Sequence, residues 1–263
     1  MSTPVLRVTV AEAVGRKVVL WAGIVSLAFV VLFGLAFFFL YREMSSSEFQ
    51  DALSNAIFGG VLTVLGLYVA SFLASFLALT LASSSVTAEV DSGVTQAVAA
   101  RPITRTSWYL QRWAGLCILS TGFVVILGGV LLIVAAVVAD YRPVSAPKLL
   151  GLMVLQSVFL ISAGMLVSTR LSAMATGVVT FSYFGLSWLG GFVTFIGALA
   201  QRDSLTTTGT VVSLLAPSDG IWKAASFFAA PHNINLAAYL VWVGVFTAVT
   251  VLLGCWSYHR RDL

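Results

Sequence analysis

The sequence predicts an all-α integral membrane protein with six transmembrane helices. Of its 263 residues, 59% are hydrophobic and 9% are charged, and the mean hydropathy is +1.01. Soluble domains are only about 45–50% apolar. A soluble core of this size cannot bury so much apolar surface, so lipid must solvate part of the chain. The apolar runs are too long and too uniform for the alternating strands of a membrane barrel.

Six apolar runs are long enough to cross a bilayer, whose core of roughly 30 Å needs about 20 residues per helix. The first run follows Arg16 and Lys17 but is longer than the apolar part of a signal peptide, so we predict a retained span. Only the third run contains a charged residue, Arg112. The runs cover residues 18–40, 56–82, 108–139, 149–168, 173–200 and 236–256.

The distribution of charges predicts the orientation. With both termini inside, the inner side carries nine basic and four acidic residues, and the outer side carries five basic and six acidic residues. Positive charges concentrate on the cytoplasmic side of membrane proteins. We therefore expect a multi-pass protein of the cytoplasmic membrane with both termini in the cytoplasm. The basic residues flank spans and form no run, which indicates contact with lipid headgroups rather than nucleic acid.

The segment before the first span, residues 1–17, is predicted to be an amphipathic interfacial helix. Its valines fall near one helical face, which suits a helix lying on the cytoplasmic leaflet. The alternative is a frayed terminus. The charged residues lie largely on the other faces, and they are Arg7, Glu12, Arg16 and Lys17.

The outer connector, residues 201–235, contains two short apolar pieces at residues 211–216 and 221–230. Pro217 is expected to end the first piece, and Ser218 or Asp219 to cap the second. Neither piece is long enough to span a bilayer. Two alternatives remain: a re-entrant pair buried against the protein, or an amphipathic helix resting on the outer surface.

Signatures of catalysis are missing from the sequence. It contains neither a GxxxxGK[ST] phosphate loop nor an HExxH zinc motif. Cys117 and Cys255 lie in spans without metal-ligand spacing, so we expect them to be packing residues. Ion-coupled carriers usually hold an acid or a histidine in the membrane, whereas the span interiors here offer Gln156, which is expected to form hydrogen bonds between helices. We therefore predict a non-catalytic chain without a cofactor or metal, powered through its cytoplasmic surface.

The cytoplasmic connector, residues 83–107, is long enough for a helix of its own. Residues 86–100 place valines at helical spacing. Gly93 costs about 1 kcal/mol relative to alanine inside a helix, which suggests close approach by another backbone. Pro102 ends this helix at Arg101, and Thr104 or Thr106 can cap the third span. We predict a short cytoplasmic helix between spans two and three.

This connector resembles the inner loop of type-2 ABC transporter permeases, the membrane subunits of ABC exporters. The family pattern E-x-x-x-G-T … PxxR matches Glu89, Gly93, Pro102 and Arg105, whereas Val94 stands where threonine is more usual. The resemblance extends over most of the chain. It includes the basic start, the six spans, the piece LLAPSDGIW before the last span and the tail HRRDL.

The resemblance implies a single permease domain, residues 1–263, that exports a substrate with energy from a separate ATPase subunit. That partner would bind ATP and Mg and hydrolyse the ATP. A second permease subunit would complete a homo- or heterodimer. The connector would be the coupling helix that contacts the ATPase, and the amphipathic segment at residues 1–17 would be a second contact. The alternative role for each arginine is that of a positive-inside anchor alone. The implied coupling residues are Glu89, Asp91, Gly93, Arg101, Pro102 and Arg105.

Uncharged, phenylalanine-rich spans suit a hydrophobic or amphipathic substrate better than an ion. Two other functions are compatible with the sequence. One is a non-transporting membrane anchor or assembly factor that recruits a soluble partner. The other is an ATP-independent channel or carrier. Movement of a substrate that depends on ATP hydrolysis distinguishes the exporter from both.

Overall fold

A computed structural model describes residues 4–15, 17–45, 52–85, 104–143, 145–227 and 236–260. The described backbone consists of helices and short turns, without strands. In chain order the helices are α1 (Pro4–Gly15), α2 (Lys17–Ser45), α3 (Ala52–Ser83), α4 (Arg105–Ala139), α5 (Ala146–Ser168), α6 (Ala173–Leu199), α7 (Asp203–Leu215), α8 (Ser218–Phe227) and α9 (Leu236–His259).

Six of these helices, α2 to α6 and α9, are long and apolar enough to cross a membrane. They coincide with the six predicted spans, so the prediction of an all-helical, multi-pass membrane architecture is confirmed. The ends differ by a few residues. The third span begins at Arg105 rather than at residue 108, and the last one extends to His259.

Helices α3, α4 and α5 form the centre of the bundle. More than half of the apolar stretch of α5 is buried (56%), compared with 11% of that of α2, which lies at the periphery. Gly164 of α5 faces Ala82 of α3, and a Cβ at this glycine would lie 2.6 Å from the Ala82 Cβ. Small residues permit such close helix approach where lipid supplies no hydrophobic driving force between helices.

Helix α7 turns back along the second half of α6. The chain reverses at Gln201, which has a positive φ of 52°, and reaches the middle of α6 at Ala216, whose carbonyl accepts a hydrogen bond from Ser187 Oγ at 2.5 Å. The helix is longer than the predicted piece at residues 211–216 because its polar half is helical too. Its threonine hydroxyls bond to backbone carbonyls one turn earlier, as Thr208 Oγ1 does to Ser204 at 2.8 Å.

Substituting Gly209 with alanine is expected to destabilise the bundle. A Cβ there would lie 2.7 Å from both the Gly190 carbonyl oxygen and the Thr194 nitrogen, atoms of the α6 backbone. Overpacking of this kind typically costs about 1–3 kcal/mol. Gly185→Ala is the matched control, because its Cβ would meet nothing within 4 Å and alanine is the better helix former. Thermal unfolding of the detergent-purified variants measures the difference, and equal midpoints would contradict the close α6–α7 contact.

Candidate functional site

One end of the bundle gathers the helix ends that flank the connector, and we call it the connector end. Here α3 stops at Ser83 and α4 begins at Arg105. Arg105 Nη1 donates to the carbonyl oxygen of His259 at 3.3 Å. Arg170, in the turn between α5 and α6, donates through Nε to Ser257 Oγ at 2.8 Å. The ends of α4, α5, α6 and α9 are therefore tied together beside the connector.

Helix α4 has a side-chain cap at this end. Thr104 has an extended backbone, with φ −68° and ψ 142°, and its hydroxyl accepts from the Ser107 N–H at 3.3 Å. Such a cap satisfies one of the free N–H groups of the first turn. Of the two threonines predicted as caps, Thr104 has this role.

Most of the predicted coupling residues lie outside the part of the chain that the structure describes. Arg105 is described, as are Arg7, Glu12 and Lys17 of the predicted interfacial segment. The roles of the others stay predictions from the sequence. The predicted residues outside the described ranges are Arg16, Glu89, Asp91, Gly93, Arg101 and Pro102.

Helix α1 packs against α4 through small side chains. Thr9 and Ala13 are buried, and a Cβ on Gly115 of α4 would lie 3.0 Å from Thr9 Cγ2. Val8 and Val14, which the periodicity assigned to the apolar face, are 63% and 57% exposed. Close contact over a glycine requires small residues, so Val8 and Val14 are directed away from the bundle.

A buried arginine joins α1 to the third span. Arg112 is 2% exposed, and its Nη1 lies 3.8 Å from Glu12 Oε2. Its guanidinium also lies 5.4 Å from the ring centre of Trp108, which stacks on Tyr258 at 5.0 Å. A buried charge is tolerated only with such partners. The sequence showed a lone arginine in an apolar run but gave no sign that Glu12 provides the opposite charge.

The middle of the bundle contains a polar network between α3 and α5. Ser71 Oγ donates to Gln156 Oε1 at 2.9 Å, and Gln156 Nε2 donates to Ser75 Oγ at 3.1 Å. Gln156 is buried. Hydrogen bonds of this kind hold helices together within a membrane, so the predicted interhelical role of Gln156 is confirmed.

The start of α8 is capped by a residue of another helix. Ser187 Oγ of α6 accepts from the backbone N–H of Asp219 at 2.9 Å and from Ser218 Oγ at 2.8 Å. The sequence assigned this capping to the side chain of Ser218 or Asp219. For the Asp219 N–H the acceptor is Ser187 Oγ instead, because the fold brings Ser187 to the helix N-terminus.

Asp219 and Lys223 form an ion pair within the fold. Lys223 Nζ lies 2.8 Å from Asp219 Oδ2, and the two side chains are 32% and 10% exposed respectively. The carboxylate lies against Gly191 of α6, where a Cβ would collide with it. A cavity of about 20 Å³, the size of one water molecule, separates Asp219 from Gln156. Sequence reasoning placed both charges in an outer connector and missed the burial of the Asp219 carboxylate against Gly191.

The described residues contain no cluster of three or more His, Cys, Asp or Glu side chains that could hold a metal ion. No protein-family model matches the chain, and no curated protein matches it. A functional assignment therefore depends on the residues and contacts described above.

Proposed function

We propose that this chain is the membrane-spanning permease subunit of an ATP-driven ABC exporter, located in the cytoplasmic membrane with both termini in the cytoplasm. The observation that carries the proposal is the connector motif of Glu89, Gly93, Pro102 and Arg105, which stands between two apolar helices of a six-span bundle. A cytoplasmic ATPase subunit that presses on the connector would move α3 and α4 together.

The packing at the connector end supports this transmission of force. Arg105 is bonded to His259 at the end of α9, and Arg170 is bonded to Ser257, two residues earlier. Packed helices shift between discrete arrangements rather than deforming continuously. A displacement of the start of α4 would therefore also move α9 and the α5–α6 turn.

Helix α1 is suited to act as a second contact surface. It is held to α4 by Thr9 over Gly115 and by the Glu12–Arg112 pair, while its Arg7 and the neighbouring Lys17, the first residue of α2, are exposed. Exposed basic residues next to a span suit phospholipid headgroups or an acidic surface of the ATPase. We assign α1 the role of an interfacial helix that moves with α4.

The α7–α8 pair has the features of a re-entrant hairpin. It runs from the end of α6 to Ser187, in the middle of that helix, and its backbone groups there are bonded to α6 and α9. Tyr239, for example, donates to the Pro217 carbonyl at 2.8 Å. Irregular backbone at membrane depth requires such partners. We favour this alternative over a helix resting on the outer surface.

In this proposal the chain itself has no catalytic role and binds no cofactor. ATP and Mg belong to the partner subunit, and a second permease subunit completes the pathway for a hydrophobic or amphipathic substrate. The competing proposal, a membrane anchor or assembly factor that recruits a soluble protein, uses the same connector without transport. ATP-dependent movement of a substrate separates the two.

Gentle detergent purification of the tagged chain from native membranes, followed by mass spectrometry, tests the proposal. We expect a stoichiometric ATPase subunit to copurify. Arg105→Glu, at the connector end, should reduce its recovery. Arg142→Glu should not, because Arg142 is exposed beside Asp140 (3.8 Å), away from the connector. A chain that purifies alone while other membrane complexes stay intact would overturn the proposal.

A further inference from the structure

A groove runs along the side of the bundle between α2 and α3, and we call it the α2–α3 groove. Its volume is about 450 Å³, and Phe123 of α4 also lines it. Its walls include Trp21 and Val25 from α2 and Phe72 and Phe76 from α3. These four side chains are 47–61% exposed, so the groove opens sideways, where a bilayer would surround the spans.

The dimensions of the groove suit a single extended chain. On α2 it extends from Val18 to Ser26, roughly 12 Å at 1.5 Å per residue, which is close to half of a hydrocarbon core of about 30 Å. A hydrocarbon chain of one leaflet fits a groove of this length and of about 450 Å³.

Two polar features lie at opposite ends of this apolar groove. Lys17, which is exposed, lies one helical turn before Trp21 on the same face, at the connector end. At the deep end, the Ser26 hydroxyl is 7% exposed and has no hydrogen-bond partner among the residues that the structure describes. The other hydroxyl of the groove, that of Thr80, is bonded to the Phe76 and Leu77 carbonyls.

An unsatisfied buried hydroxyl is costly, and an acceptor on the occupant would remove that cost. A positive charge at the mouth favours an anionic head. We infer that the α2–α3 groove binds a single-chain anionic amphiphile from the bilayer. Its head lies at Lys17, and a mid-chain oxygen accepts from Ser26. This binding site goes beyond the proposed function and does not depend on it, because occupancy requires no ATPase.

Photolabelling tests the inference directly. The purified chain, in nanodiscs of dioleoylphosphatidylcholine, is illuminated with a stearic acid that carries a mid-chain diazirine, and labelled residues are mapped by mass spectrometry. We expect the label to concentrate on Trp21, Val25 and Ser26. Unlabelled 12-hydroxystearate should compete more strongly than stearate, because only 12-hydroxystearate has a mid-chain oxygen that can accept a hydrogen bond from Ser26.

Two neighbouring substitutions form a matched pair. Val25→Trp fills the groove and should reduce labelling about tenfold, which corresponds to about 1.4 kcal/mol. Ile24→Trp should leave labelling unchanged, since Ile24 and Val25 are 48% and 49% exposed and only Val25 lines the groove. Size-exclusion profiles check that both variants fold.

Ser26→Ala provides a milder second test. It should abolish the preference for 12-hydroxystearate over stearate while leaving labelling by the probe in place. Equal labelling along all faces of α2, equal loss in both tryptophan variants, or a preference that survives in Ser26→Ala would each overturn the inference. Cross-links that join two copies of the chain through α2 would also overturn it, because the groove would then be a subunit interface.

Discussion

Replacing Lys223 with methionine is expected to destabilise the protein by about 3–5 kcal/mol, the typical effect of removing one partner from a buried ion pair. The expected loss of stability comes from the environment of the Asp219 carboxylate. The Asp219 side chain is 10% exposed and lies against the backbone of α6 at Gly191, so the carboxylate has little contact with bulk water. Methionine has nearly the same length as lysine, so the change removes the charge with little change in packing. Thermal unfolding of the detergent-purified variants measures the effect.

The two partners should respond unequally. Lys223 is 32% exposed, and a lysine can extend its amine toward water while its stem stays in contact with the protein. Asp219→Asn should therefore be milder than Lys223→Met. The double variant Asp219→Asn/Lys223→Met removes both charges of the pair, and it should be closer to the parent than Lys223→Met alone. If the double variant is no more stable than Lys223→Met, the carboxylate is not the source of the loss.

The six spans were predictable because each depends only on local information. A run of about 20 apolar residues must be a helix in lipid, whatever the rest of the chain does. The end of α7 before Pro217 and the cap at Thr104 are local as well, since each follows from one residue and its nearest neighbours. The confirmed part of the fold therefore consists mainly of features that can be read from short windows of sequence.

The features that sequence reasoning missed depend on pairs of residues far apart in the chain. Ser187 caps α8 although it is 32 positions from Asp219. Glu12 of α1 pairs with Arg112 of α4, which lies 100 positions later in the chain. A charge count assigns Asp219 and Lys223 to solvent, whereas the approach of α8 to Gly191 buries the Asp219 carboxylate. Neither hydropathy nor periodicity contains this information.

These long-range contacts also connect the two ends of the bundle. Gln156 of α5 is bonded to α3 through Ser71 and borders the cavity beside Asp219. At the connector end, the same α3 ends at Ser83. A shift of α3 relative to α5 would therefore change both the connector end and the surroundings of the Asp219–Lys223 ion pair.

Glu89→Lys and Gly93→Trp are expected to uncouple ATP hydrolysis from transport. In the proposed coupling helix, Glu89 supplies a charge to the ATPase contact, and Gly93 permits close approach of another backbone. A coupling free energy of about 1–3 kcal/mol corresponds to a 5- to 150-fold effect, so we expect transport to fall by that factor while the partner still hydrolyses ATP. ATP-dependent uptake of a fluorescent fatty acid into inside-out vesicles, measured beside phosphate release, tests this.

Cys117→Ala is the matched control for that experiment. Cys117 is a partly buried free cysteine of α4, and the sequence indicates only packing for it, so the variant should transport and hydrolyse as the parent does. Both coupling variants should still insert in the membrane, since their changes lie outside the six spans. Normal coupled turnover in both variants would remove the basis for a coupling helix. Loss of hydrolysis together with transport would indicate instead that the connector is needed to recruit the ATPase.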